Sequence, residues 1–437
     1  MSRTPQQLIN ESPMSSAQIM AILVCVLLNM MDGFDILIMA FTASSVSAHW
    51  SLDNSQLGFL LSAGLFGMAT GALFLAPYAD KFGRKGMILF CTLIMGLGML
   101  LSGYSPSFEF LVALRFFTGI GIGGMIASLN TLVSEHANDK NRGFAVSVLQ
   151  TGNPVGGVLG GMVAVLLIGS YGWEITFIAG GIATLALLPL VMWKLPESVS
   201  FLERRRPENA LQKINTILTD YGHSPVDALP DNQSANAQSD QSSQGILSLF
   251  KGATLHRSLL LGLSFFMIMF SFYFVMSWTP KLLVQAGLST SAGISGAIIL
   301  NLGGIIGAPV LGYLSAKRGL QNLIGGYMVA TALFMAAFGF LTANFVPALF
   351  VALLLGFFLF GSIIGLYALA PQVYDVDNRA AGIGFAIGIG RVGAVVAPIV
   401  AGVVLDQELP VYLLFILFAF PMLVCTFSQK KIPLLSS

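Results

Sequence analysis

Runs of about twenty apolar residues recur twelve times along this chain, and that is the length a helix needs to cross a hydrocarbon layer roughly 30 Å thick. In windows of that length the spans fall near 18–45, 56–79, 87–103, 109–134, 144–168 and 174–193, then near 258–279, 291–315, 322–342, 345–370, 381–404 and 411–428. Only 9% of the 437 residues are charged and 55% are hydrophobic, which excludes a soluble globular protein. The expected fold is an all-α polytopic membrane protein with twelve transmembrane helices in two six-helix pseudo-repeats. Forty-eight glycines suit it, because small residues let helices approach closely where lipid supplies no hydrophobic drive between them.

The expected organisation is a cytoplasmic N-terminal tail over 1–17, a six-helix half over 18–193, a cytoplasmic central loop over 194–257, a second six-helix half over 258–428 and a cytoplasmic tail over 429–437. The middle of the central loop, from Asp231 to Gly245, is low-complexity and polar and is expected to be disordered. With the N-terminus inside, 18 of the 21 Lys and Arg residues lie in cytoplasmic segments, Lys281 falls in an outside loop, and Arg115 and Arg391 lie within spans. The positive-inside rule therefore puts both termini in the cytoplasm. The halves echo each other: Ala76-Pro-Tyr-Ala-Asp80 aligns with Gly312-Tyr-Leu-Ser-Ala316, and Arg142 aligns with Arg379. Two such repeats joined by a loop are the plan of a transporter that rocks one half against the other.

Span 1 carries the costliest residues. Between Ala17 and Val46 the only formal charges are Asp32 and Asp35. An acid at mid-bilayer costs about 2.5–3.5 kcal/mol on insertion scales and is read as functional by default. The i, i+3 spacing puts both on one helix face, and Gly33 between them is expected to loosen the helix. Such acids suit proton coupling, and which of the two titrates is left open. Arg391, flanked by Gly390 and Gly393 in span 11, suits bidentate recognition of a carboxylate. It is either the substrate anchor or the counter-charge of Asp32 or Asp35. Arg115, at the start of span 4, either keeps those acids ionised or snorkels to the interface. Gln150, Asn153, Asn301 and Tyr273 are candidates to line a substrate cavity. Asp80, Lys81, Gly83, Arg84 and Lys85, extended by Glu135, Arg142 and Arg379, are candidates for a charge network that gates the inner side. The histidines His49, His136, His223 and His256 are scattered and support no metal site. No phosphate-binding loop or nucleophile triad points to an enzyme.

Several of these stretches resemble a known group. Asp80-Lys-Phe-Gly83-Arg84-Lys85 is similar to the signature loop of the major facilitator superfamily, although Ala76 stands where that signature usually has Gly, which Gly312 keeps in the second repeat. Arg115-Phe-Phe-Thr-Gly-Ile-Gly-Ile-Gly-Gly124 resembles its second motif. Pro196-Glu197-Ser198 and Pro371-Gln-Val-Tyr374 are similar to the sugar-porter branch. Asp32-Gly-Phe-Asp35 with Gly390-Arg391-Val-Gly393 resembles the aromatic acid:proton symporter family. The resemblance implies the major facilitator fold and proton-coupled import of a benzoate-like carboxylate across the bacterial inner membrane by alternating access. It associates the position of Arg115 with proton coupling. The expected partners are that small aromatic acid and the lipid bilayer, with no nucleic acid and no cofactor beyond the coupling protons, in a protein working as a monomer. A sugar, polyol or drug transporter of the same fold, and a membrane sensor that does not transport, are the competing readings.

Overall fold

The computed structural model describes residues 4–229, 249 and 252–434. It contains twelve helices long and apolar enough to span a membrane: Ser16–Trp50, Asn54–Phe82, Arg84–Ser102, Phe108–His136, Arg142–Tyr171 and Glu174–Lys194 (spans 1–6), then Thr254–Gln285, Thr290–Ser315, Leu320–Leu341, Phe345–Gln372, Asn378–Leu405 and Val411–Lys430 (spans 7–12). Each coincides with a sequence window, usually with a few more residues at the ends. The helices outrun the hydrocarbon because backbone hydrogen bonding continues until a cap or a turn residue stops it. Lys281 lies in the last turns of span 7, inside the helix and not in the expected outside loop. The expectation of disorder from Asp231 to Gly245 lies outside the described residues.

Helix packing repeats between the halves residue by residue. A Cβ on Gly67 in span 2 would lie 2.1 Å from the Phe116 carbonyl oxygen of span 4, and one on Gly303 in span 8 would lie 2.1 Å from the Leu353 oxygen of span 10. Gly71 meets Ile120 and Gly307 meets Phe357 in the same way. Spans 1 and 5 cross where Gly156 meets Met30, and spans 7 and 11 cross where Gly393 meets Phe266. Matching glycines are 236 or 237 positions apart, the offset already present between the cytoplasmic loops. Backbones this close leave no room for a side chain, and the contact supplies dispersion attraction that lipid does not replace.

Contacts divide the chain into two units. One comprises Met1–Asp35, Phe66–Gly156 and Phe177–Ala237, and the other Ile36–Leu65, Gly157–Thr176 and Gln238–Ser437. The division falls within the unbroken span 1, directly after Asp35. The second unit thus takes in parts of spans 1, 2 and 5 together with spans 7–12. In it Leu37 and Phe41 of span 1 and Val158 of span 5 pack with Met276 of span 7 and Ala297 and Ile298 of span 8.

The N-terminal tail and the central loop are partly helical. Thr4 and Gln7 form a reciprocal capping box that starts Pro5–Glu11. The loop contributes Val199–Arg205 and Ala210–Asp220. Ile9 joins Leu202, Ile214, Leu218 and Tyr221 in a small apolar core of the first unit.

Substituting Gly67→Val or Gly303→Val is expected to separate its helix pair at a cost of about 1–3 kcal/mol. Gly326→Ala, where a Cβ meets nothing within 4 Å, is expected to be neutral. The fraction of protein that stays monodisperse in detergent on heating reads the difference.

Candidate functional site

In the first unit three spans converge on Arg115 of span 4. Its Nη1 donates to Asp35 Oδ1 of span 1 at 2.8 Å, and its Nη2 donates to Ser102 Oγ of span 3 at 2.7 Å. Its guanidinium carbon lies 4.8 Å from the centre of the Phe177 ring of span 6. Arg115 is 2% exposed and Asp35 5% exposed, so this ion pair is sealed from water and the snorkelling alternative for Arg115 is set aside. Asp32 is buried as well. Gly33 does not interrupt the helix: a Cβ there would lie 2.0 Å from the Asn153 carbonyl oxygen, so its absence is what lets spans 1 and 5 cross beside the two acids. Asn153 is thus half-buried at that crossing, while Gln150 is exposed and donates to Asn130 Oδ1 at 3.2 Å.

Arg391 belongs to the second unit, where the face of span 11 that carries it has two regions. Toward the end of the span, the Val395 carbonyl accepts from Ser62 Oγ of span 2 at 2.7 Å, and Gly402 faces the Asn54 carbonyl of span 2 so closely that a Cβ would lie 2.2 Å away. Further along the same face, a Cβ on Gly384 or Gly388 would meet nothing within 4 Å. Arg391 stands one turn from Gly388, where the contact gives way to open space. Tyr367 of span 10 is within electrostatic reach of the guanidinium, and its ring meets Phe265 of span 7 edge-on at 5.2 Å. Asn301 is buried, donates to the Ala297 carbonyl of its own helix at 2.9 Å and faces Gly157 of span 5. Half-buried Tyr273 packs edge-on against Phe272.

Gly83, Arg84 and Lys85 of the candidate gate meet at Glu197, which the sequence analysis quoted in a motif but gave no gating role. Glu197 Oε1 accepts from the backbone N–H groups of Arg84 at 2.8 Å and Lys85 at 3.1 Å, closing the N-terminus of span 3. An anion is favoured there by the helix dipole and by the free N–H groups. Gly83, at φ +92°, makes the preceding turn, and a Cβ on it would strike the Glu197 carboxylate. Arg84 pairs with Asp80 at 2.7 Å, Lys81 lies over the Phe82 ring, and Lys85 Nζ donates to the Met192 carbonyl at 2.8 Å. Glu135 accepts from Ser198 Oγ, and Arg142 bonds Asp139, Asn10 and the Ser134 carbonyl. Arg379 is exposed at the start of span 11 in the second unit.

A second carboxylate missed from sequence closes another helix end. Asp406, directly after span 11, accepts from the N–H groups of Asn54 and Ser55 at 3.0 Å each and from the Ser55 hydroxyl. Gly58 packs against the Pro398 carbonyl beside it, and Lys281 Nζ donates to Ser47 Oγ at 3.3 Å. Desolvation would raise the Asp406 pKa, but the hydrogen bonds from Ser55 and Asn54 outweigh it and hold the group below its ordinary value. A lowered value means the contact is complete above the ordinary carboxylate range and fails only as pH falls through the lowered one. At neutral pH it therefore stays in place without acting as a proton switch.

The description "Major Facilitator Superfamily" belongs to a family model that matches residues 22–372. The chain belongs to the major facilitator superfamily. The transporter is 32% identical over 413 residues to the gallate transporter of Pseudomonas putida, covering 94% of this chain and 91% of that protein. It is 30% identical over 421 residues to the benzoate transport protein of Acinetobacter baylyi, covering 95% and 89%. It is also 31% identical to the 4-hydroxybenzoate transporter PcaK of Pseudomonas putida over 89% of this chain and 87% of that one. These relatives are aromatic acid transporters, in keeping with the resemblance carried by Asp32-Gly-Phe-Asp35 and Gly390-Arg391-Val-Gly393. The inward open structure of the xylose transporter XylE from E. coli superposes with a TM-score of 0.75 at 18% identity, covering 95% of this chain and 96% of that one, so the two share a fold.

Replacing Asp406 by Ala removes three hydrogen bonds to a charged acceptor at a site open to solvent, where each counts for less than in the interior. In a Ser62→Cys background it is expected to raise the rate of maleimide labelling at position 62 a few-fold over the single variant, because Ser62 is sealed by the same contact between spans 2 and 11.

Proposed function

We propose that this transporter imports a small aromatic carboxylate across a bacterial inner membrane, driven by protons. The observation that carries the reading is the buried Asp35–Arg115 pair. A carboxylate held in a dry site against a single guanidinium can be neutralised by one proton without moving any other charge, and that act leaves an arginine unbalanced in low dielectric. A proton and an anionic substrate can then be exchanged in alternation, which is what coupling requires. Asp32, three residues away on the same helix, is the second candidate for the coupling proton.

The substrate carboxylate is assigned to Arg391, whose fork of donors matches it and whose helix face opens at Gly388 and Gly384. Tyr367 and Tyr273 supply aromatic surface in the same unit, with the buried Phe265 ring backing Tyr367. Gln150, Asn153 and Asn301 are the further polar candidates within the spans. Aromatic acid transport by the relatives supports the substrate class. Lys and Arg concentrated in the loops on the side of the termini support a cytoplasmic location for both ends. On this orientation the network around Asp80, Arg84, Glu135, Arg142 and Glu197 lies on the inner side, with Arg379 the second-half counterpart of Arg142, and the Asp406 contact lies on the outer side. Protons are the coupling ion, no other cofactor is invoked, and a monomer suffices.

Uptake of radiolabelled benzoate, 4-hydroxybenzoate and gallate, with a sugar as control, tests the reading in cells expressing the wild type, Asp32→Asn, Asp35→Asn or Arg391→Lys. The wild type is expected to accumulate at least one of the acids, and collapsing the proton gradient should abolish accumulation. Asp35→Asn should lower it at least tenfold, because removing one partner of a buried pair strands the other. Arg391→Lys should weaken apparent substrate affinity more than it lowers the maximal rate, because a point charge replaces a bidentate fork. Accumulation that survives both gradient collapse and the Asp substitutions would refute the coupling, and entry of the sugar alone would refute the substrate class.

A further inference from the structure

We infer that Ser102 is a positioning residue for coupling, the fixed arm that keeps Arg115 in place while the charge on Asp35 comes and goes. This rests on the reading of Asp35 and Arg115 as the coupling pair.

The guanidinium has partners of opposite kind, Asp35 on Nη1 and, on Nη2, the close Ser102 hydroxyl with the more distant Gly98 carbonyl at 3.5 Å behind it. Asp35 on Nη1 can change charge. Ser102 on Nη2 cannot, and its own proton is committed, because its Oγ donates to the Gly98 carbonyl at 2.6 Å and so offers Arg115 a lone pair. The hydroxyl is therefore oriented as an acceptor before the arginine arrives. Ser102 is fully buried in the last turn of span 3, so water cannot take its place. The Phe177 face closes another side of the cation with an attraction that is equally indifferent to protonation of Asp35. Arg115 Nε has no hydrogen-bond partner among the described residues, so the grip on the head group is made at its two Nη atoms.

The consequence follows from what an arginine does when its anion is lost. A long flexible side chain in an apolar span relaxes toward the nearest polar region, carrying its charge away. Held by Ser102 and Phe177, the guanidinium instead stays where it is when Asp35 takes up a proton, and the unbalanced charge appears at a fixed place. Substrate binding can respond to a charge at a fixed place. Without the serine the charge disperses, and proton binding is no longer communicated, while the path for the substrate is intact.

The test separates coupling from transport. Wild type, Ser102→Ala, Ser102→Thr and Asp35→Asn are reconstituted in liposomes. Each is assayed for accumulation of labelled 4-hydroxybenzoate, benzoate or gallate, whichever the wild type takes up, under an imposed pH gradient, and for counterflow of the same acid with no gradient. Ser102→Ala is expected to lower gradient-driven accumulation roughly tenfold, the scale of one hydrogen bond to a charged group. It should leave counterflow within about twofold of wild type, and Ser102→Thr, which keeps the hydroxyl, should restore accumulation. Accumulation by Ser102→Ala equal to wild type, or an equal loss of accumulation and counterflow that Thr does not repair, would overturn the role of Ser102 and leave the coupling pair standing. Full accumulation by Asp35→Asn would overturn the pair and the positioning role with it.

Discussion

A buried ion pair between Asp35 and Arg115 is the constraint that the first six spans are built to satisfy. Bringing either charge alone out of water costs several kcal/mol, and the mutual attraction repays it only in good geometry with the remaining hydrogen-bonding groups supplied. Here the supply comes from three directions: span 1 brings the acid, span 3 a serine and span 6 an aromatic face. Each span must hold its register to within a fraction of a turn for these groups to meet. Close crossings provide that precision, at Gly33 for span 1, at Gly67 and Gly71 for span 4, and at Gly181, which meets the Leu100 backbone, for spans 3 and 6, since backbones in direct contact cannot slide without collision.

The packing is repeated in the second half and the chemistry is not. At the repeat offset, Asp35 corresponds to Ser271 and Arg115 to Ala352, whereas Arg391 corresponds to Pro154. Ser271 spends its hydroxyl on the Phe418 carbonyl at 2.7 Å, a purely structural bond. A duplicated scaffold thus carries its intramembrane acids in one copy and its second intramembrane arginine in the other. On the proposed function, proton coupling and substrate binding are thereby assigned to different repeats.

Much of the architecture was legible in the sequence, because hydrophobic length is a local property that needs no knowledge of neighbours. The twelve spans, the repeat offset and the intramembrane charges all fall in that class. The partner of Asp35 did not, since Arg115 and Arg391 were both available and only the helix arrangement brings Arg115 to it. The closures made by Glu197 and Asp406 were hidden for the same reason: each carboxylate serves a helix that starts more than a hundred residues away along the chain. Glu197 stood in the sequence only as part of the Pro196-Glu197-Ser198 motif, which carries no indication of the helix it closes. The helix Pro5–Glu11 carried its own capping box, Thr4 to Gln7, in a stretch read as a plain tail, and Ala210–Asp220 carried Ile214, Ile217 and Leu218 at helical spacing, with Tyr221 just past its end, in a stretch read as a loop.

The small core beneath those helices has a bearing on how the chain is made. Ile9 leaves the ribosome about two hundred residues before its partners Leu202, Ile214 and Leu218, and all six spans of the first half are made in between. At a synthesis rate of roughly 5–20 residues per second, that interval lasts ten seconds or more. The helix Pro5–Glu11 must wait through it with its apolar face uncovered. Its docking then marks the moment at which the first half is complete, before span 7 has been made.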